Sequence, residues 1–149
     1  MYHSQFNDVT DDFRSVGNMM LLPIKTKIRG PAPHLADQAT EDIIDEVLNL
    51  FRANCLFRNF EIKGGADRVL IYLILFISDC LTKLTKNPPK GEAVKQLTTL
   101  TPHPQQLRHS WADGDALWQY LQQLCQELAI RLVERVYVDG KPSKWWMCF

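Results

Sequence analysis

The feature that most limits what this chain can fold into is an unbroken apolar run at its centre. Val69, Leu70, Ile71, Tyr72, Leu73, Ile74, Leu75, Phe76 and Ile77 follow one another, bounded by Arg68 and by Ser78-Asp79. Six of the nine are β-branched or aromatic, so a central β-strand competes with a helix. Length decides for the helix, because the pattern continues through Cys80, Leu81 and Leu84 at helical spacing. The expected helix covers residues 66–86, with Asp67 in its first turn and Lys83 and Lys86 in its last. A helix apolar on all sides belongs at the centre of a bundle. The run is about half of what a bilayer span needs, so no membrane span is expected.

Two further helices should surround it. The first is expected over residues 40–56, capped by Asp37 or Thr40, with Glu41 and Asp42 in the first turn. Ile43, Ile44, Val47, Leu48, Phe51 and Cys55 then mark one apolar face, and Gly64-Gly65 stops the segment that follows. The last long helix is expected over residues 115–138. Leu117, Tyr120, Leu121, Leu124, Cys125, Leu128, Leu132, Val133 and Val136 recur at threes and fours. Leu121, Leu124, Leu128 and Leu132 should be buried against Ile71, Ile74 and Leu75. Gln119, Gln122, Gln123, Gln126, Glu127, Arg131 and Glu134 lie opposite and read as a solvated face, and Asp139-Gly140 reads as the helix stop.

The rest of the chain is not helical in pattern. In residues 1–39, Gly17, Pro23, Gly30, Pro31 and Pro33 interrupt every turn, which predicts an extended arm lying along the helical body. Lys25, Lys27 and Arg29 on that arm read as solvated. Residues 87–112 form a connector, broken by Asn87-Pro88-Pro89 and by Pro102-His103-Pro104. The expected fold is all-α, one small helical domain over residues 1–149 with two to three long helices and an extended N-terminal arm.

The chain ends on Lys141-Pro142-Ser143-Lys144-Trp145-Trp146-Met147-Cys148-Phe149. Chain ends fray, and a frayed end has little use for large aromatics. Trp is enriched where proteins bind one another. This end therefore either folds back onto its own core, or docks on a partner, or does both, and Lys144, Trp145 and Trp146 are the candidate partner-binding residues.

Nothing in the sequence assembles a reaction site. His3, His34, His103 and His109 do not pair at helical ligand spacing, so no metal site is expected. There is no glycine-rich phosphate loop and no nucleophile elbow, and hence no expected cofactor. Cys55, Cys80 and Cys125 fall on apolar stripes, where a thiol behaves as a small hydrophobe. Without C-x-x-C spacing or a signal peptide, reduced thiols are expected. Glu127 and Glu134 share the polar side of a helix, and no catalytic residue is assigned. Lys plus Arg equals Asp plus Glu at 17 each. That balance argues against nucleic acid as a partner.

Several runs, in order along nearly the whole chain, resemble subunit 3 of the actin-related protein 2/3 complex. They are Gly17-Asn18-Met19 with Leu21-Leu22-Pro23-Ile24; Gly30-Pro31-Ala32-Pro33; Ala66-Asp67-Arg68 leading into Leu70-Ile71-Tyr72; Tyr120-Leu121-Gln122-Gln123-Leu124 followed by Gln126-Glu127-Leu128 and Arg131-Leu132; and Lys141-Pro142-Ser143-Lys144-Trp145-Trp146 with Cys148-Phe149. The resemblance implies a non-catalytic, mostly helical structural subunit in the cytoplasm and cytoskeleton, including cell projections. It implies actin-related protein 3 and the other subunits of a seven-subunit complex as partners, with the actin filament engaged through the complex. Nucleotide is bound in that family's complex by the two actin-related subunits. The family carries a longer connector, rich in glycine, proline and phenylalanine, where residues 91–115 stand here, and a short basic tail after the Trp-Trp run. A stand-alone helical module that binds a protein or peptide through Trp145 and Trp146 is the alternative reading.

Overall fold

The computed structural model describes residues 2–8, 13–16, 19–55, 61–100 and 114–148, the last segment without the side chains of its first two residues. Five α-helices among the described residues carry the fold. They are α1 (Ile43–Asn54), α2 (Gly65–Lys83), α3 (Lys90–Thr98), α4 (Gly114–Val136) and the short α5 (Lys144–Met147). α2 contacts α1, α3 and α4, as its apolar run requires, and it forms a helix and not a strand throughout that run. The core is continuous across all five helices. Leu121, Leu124, Leu128 and Leu132 of α4 are fully enclosed in it, together with Ile43, Val47 and Phe51 of α1 and Leu70, Leu73 and Ile77 of α2.

α2 is not buried on every side. Leu75 is 46% exposed, so it does not meet the α4 leucines as expected, whereas Ile74 is buried and Ile71 half-buried. Arg68, Leu75, Ser78, Asp79 and Thr82 form an outward stripe. The other flanks are covered by α1, α3, α4 and the N-terminal arm.

α1 begins three residues later than the sequence pattern indicates. Its cap is Asp42, not Asp37 or Thr40. The Asp45 amide donates to Asp42 Oδ1 (2.9 Å) and the Asp42 amide donates to Asp45 Oδ2 (3.4 Å), a reciprocal capping box. Asp37 and Thr40 instead close the preceding turn, the Thr40 hydroxyl donating to Asp37 Oδ2 at 2.7 Å.

The connector is not irregular throughout. Lys90–Thr98 form α3, which seats Ala93 and Leu97 against α4. Its three apolar residues, Ala93, Val94 and Leu97, span little more than one turn and give a weak signal, and Pro88-Pro89 reads equally as a break or as the entry to a helix. The remainder of the connector lies outside the described residues. α4 likewise stops at Val136, because Asp139-Gly140 is not a helix stop but the turn of a hairpin. β3 (Tyr137–Val138) pairs with β4 (Lys141–Pro142), and both turn residues have positive φ, 54° and 78°. This is the type I′ requirement that Asp-Gly meets. A second pair, β1 (Ser15–Val16) with β2 (Met19–Met20), lies in the arm. The fold is thus mostly helical and not strictly all-α.

The arm is pinned over α4 and the start of α1. Leu21, Leu22 and Ile24 are buried. The Leu22 amide donates to the buried Tyr120 hydroxyl (2.9 Å). The Ala32 amide donates to Gln123 Oε1 (2.9 Å), and Gln123 Nε2 donates to the Ile28 carbonyl (2.9 Å). A Cβ on Gly30 would overlap that Gln123 amide, so glycine is required there by close approach.

Two substitutions test this packing. Leu128→Ala should lower unfolding stability by about 2–5 kcal/mol, the range for an enclosed leucine; an unchanged urea midpoint would remove α4 from the core. Gly30→Ala should cost about 1–3 kcal/mol by displacing the buried Gln123 amide from its two half-buried backbone partners. Gln123→Ala removes the amide but keeps a Cβ 3.0 Å from the added methyl, so in a double-mutant cycle it should reduce the cost of Gly30→Ala without abolishing it.

Candidate interface at the C-terminal helix

After the hairpin the chain turns back on itself. The Ser143 amide donates to the Val136 carbonyl (2.7 Å), and Ser143 becomes the N-cap of α5. A four-residue helix has almost no intrinsic stability. α5 is held by where its tryptophans go. Trp146 is 6% exposed and stacks on Phe51 of α1, ring centroids 6.0 Å apart at 18°. Trp145 is 49% exposed and meets Trp146 edge-on, at 5.0 Å and 73°. The Arg52 guanidinium sits 4.5 Å from the Trp145 ring centroid, a cation–π arrangement. Lys144 is exposed. The three candidate residues are therefore adjacent but different in kind. Trp146 is an internal anchor, while Trp145 and Lys144 face outward. An aromatic held rigidly by neighbours and half in water contributes contact area at little entropic cost.

The polar stripe of α4 does more than face solvent. Arg131 donates to Asp42 Oδ1 (2.7 Å), Asp45 Oδ1 (3.2 Å), Glu127 Oε1 (2.9 Å) and the Lys25 carbonyl. Glu127 also accepts from the Thr26 hydroxyl (2.8 Å), and Lys25 pairs with Asp45 at 2.8 Å. Gln123, Glu127 and Arg131 thus bind the arm and the start of α1, and Lys25 is ion-paired, unlike the solvated faces expected for both segments. The signal was present: the three α4 residues stand four apart on one face. Their partners lie about 90 residues away in sequence, for instance Arg131 to Asp42.

A second polar knot fastens the N-terminus. Asp67 is fully buried and accepts from His3 Nδ1 (2.7 Å), the Ser4 amide (2.8 Å) and the Lys63 amide (3.0 Å). Burial raises its carboxyl, but these donors outweigh burial and hold it below the ordinary carboxylate range. Asp45 behaves alike: burial opposes ionisation, while Lys25 and the charge of Arg131 prevail and lower it. Glu46 runs the other way, its carboxyl raised by burial, which hydrogen bonds from Ser4 and Gln5 only partly offset.

Cys55, Cys80 and Cys125 do not have the character of nucleophiles. Burial pushes Cys80 and Cys125 far above the ordinary thiol range and raises Cys55 as well. Among the described residues no group of three or more His, Cys, Asp or Glu side chains could hold a metal ion, and no helix is long and apolar enough to cross a membrane. His103 and His109 lie outside the described residues.

Charged side chains thus fasten the arm to this helical body, and a braced tryptophan stands at its end. The family model described as "P21-Arc: ARP2/3 complex ARPC3 (21 kDa) subunit" matches residues 1–149, and the chain belongs to that family. Among curated relatives, the actin-related protein 2/3 complex subunit 3 of Saccharomyces cerevisiae is 49% identical, covering 99% of this chain and 93% of the relative. The subunit 3 of Dictyostelium discoideum is 46% identical over 100% of this chain and 94% of its own length. That of Schizosaccharomyces pombe is also 46% identical, over 99% and 92%.

The buried carboxylates set a pH dependence. Because Asp67 and Asp45 have lowered folded values, their stabilisation is complete above the ordinary carboxylate range, near pH 4, and is lost as pH falls through those lowered values. Wild type should therefore exceed Asp67→Asn in urea midpoint at pH 7, with the gap narrowing toward pH 3. A gap independent of pH would show that the Asp67 charge does not hold the N-terminus.

Proposed function

We propose that this chain is a non-catalytic structural subunit of the actin-related protein 2/3 complex, supporting the nucleation of branched actin filaments. Family membership over the full 149 residues carries the reading. Its partners are the other subunits of that complex, with actin-related protein 3 as its immediate neighbour, and it meets the actin filament through the assembly. It acts at the cytoskeleton, in the cytoplasm and its projections. Residues 1–149 serve as one domain whose helices carry the interface and contribute no chemistry.

In this reading Lys144, Trp145 and Trp146 form part of the subunit interface, with a division of labour. Trp146 stacks on Phe51 and keeps α5 in place. Trp145, braced by Trp146 and Arg52, is the contact residue. Tryptophans in that position are among the side chains whose truncation costs most in binding, about 2 kcal/mol or more.

Single substitutions separate the roles. Trp146→Ala should lower the melting temperature of the isolated chain, with a loss of about 3–5 kcal/mol. Trp145→Ala should leave melting nearly unchanged and reduce co-purification with the other subunits by about 30-fold in affinity, the equivalent of 2 kcal/mol. Full incorporation of Trp145→Ala would remove α5 from the interface.

A further inference from the structure

α5 has a second flank. Lys144 and Met147 line a cleft of about 710 Å³, whose other walls are Asn87 and Pro89 at the α2–α3 link and Lys141 and Pro142 of β4. These walls come from three separate stretches of chain, and they are tied together. The Tyr137 hydroxyl donates to the Pro88 carbonyl at 2.6 Å, joining the hairpin to the α2–α3 link. Lys90 pairs with Glu134 at 3.3 Å, joining α3 to α4. Asn87 holds a left-handed conformation, φ 53°, that turns the link. The cleft is therefore formed before anything enters it.

Its chemistry is one-sided. Met147, Pro89 and Pro142 supply apolar surface, Lys141 and Lys144 supply charge at the rim, and no carboxylate is among the described residues that line it. Lys83 and Lys86 stand on the segment that leads into it. Of the acids on the bounding elements, Glu134 is paired with Lys90, and Asp79, Glu92 and Asp139 are not among the lining residues. On a chain whose charges balance at 17 and 17, this is a local positive excess.

We infer that this cleft receives a loop of the neighbouring subunit bearing an apolar side chain beside a carboxylate. The apolar group rests on Met147 and the prolines while the carboxylate meets Lys141 and Lys144. The inference rests on the reading of α5 as an interface, and places a socket on one side of the helix whose other side presents Trp145. Charges at an interface rim steer association and weaken with salt, whereas apolar contact does not.

The experiment is co-expression of the full chain with the other subunits, scoring incorporation of Lys141→Glu/Lys144→Glu at low and high salt beside Trp145→Ala. The double reversal should reduce incorporation about tenfold at low salt, with the difference from wild type shrinking at high salt. Melting of the isolated chain should be unchanged, both lysines being exposed. Normal incorporation of the reversal with impaired Trp145→Ala would overturn the socket together with the part given to Lys144, and leave the Trp145 contact standing. Normal incorporation of both would overturn both. Should the reversal unfold the chain, Lys141→Gln/Lys144→Gln replaces it: a salt-dependent loss supports the socket, and full incorporation overturns it.

Discussion

Arg131 is the side chain on which the arrangement of the chain depends. It extends from α4 into the place where the arm crosses the start of α1, and it binds Asp42, Asp45 and Glu127 together with the Lys25 carbonyl. Asp42 is fully buried and has three duties: it caps α1, accepts from the Lys25 amide (2.9 Å) and takes the Arg131 charge. Burying these ions costs much of what their attraction returns, so the cluster is weak evidence for large net stability. Its effect is selective. Removing the guanidinium would leave a buried aspartate without its counter-charge, so arrangements lacking this contact are disfavoured.

From that junction the geometry of the interface follows by packing. Arg131 sets α4 against the start of α1, and the α1 core face carries Phe51 one turn from its end. Phe51 receives Trp146, Trp146 braces Trp145, and the hairpin after α4 delivers both. Residues far apart in sequence thus converge on one exposed tryptophan. A chain whose described residues enclose apolar side chains at the centre and tie buried Asp42 and Asp67 to the arm and the N-terminus suits a component built to hold position in an assembly.

Much of the helical body was legible in the sequence. The apolar run of α2, the stripe of α1 and the three-four spacing of α4 are local signals, and each helix formed near where they placed it. What escaped has a common physical reason. Asp42 was read as a first-turn residue because its capping box and its pairing with Arg131 are indistinguishable in sequence from other early carboxylates. α3 escaped because Ala93, Val94 and Leu97 make a pattern of little more than one turn, too short to stand out beside the preceding prolines. Asp139-Gly140 was read as a helix stop because the same pair serves a helix end and a type I′ turn. Leu75 was placed in the core because nothing in a continuous apolar run marks which stripe is left uncovered. At the C-terminus the sequence singled out Lys144, Trp145 and Trp146 but not which tryptophan would be buried. That depended on Phe51, nearly a hundred residues earlier.

The central claim, that Arg131 holds the arm in place on an otherwise self-sufficient helical core, is tested most directly by native-state hydrogen exchange on Arg131→Ala. The amides of Lys25 and Ala32, bonded to Asp42 and Gln123, should exchange about tenfold or more faster than in wild type, while those of Leu124 and Leu128 in α4 keep their protection. Unchanged protection at Lys25, or an equal loss of protection across α4 and the arm, would contradict it.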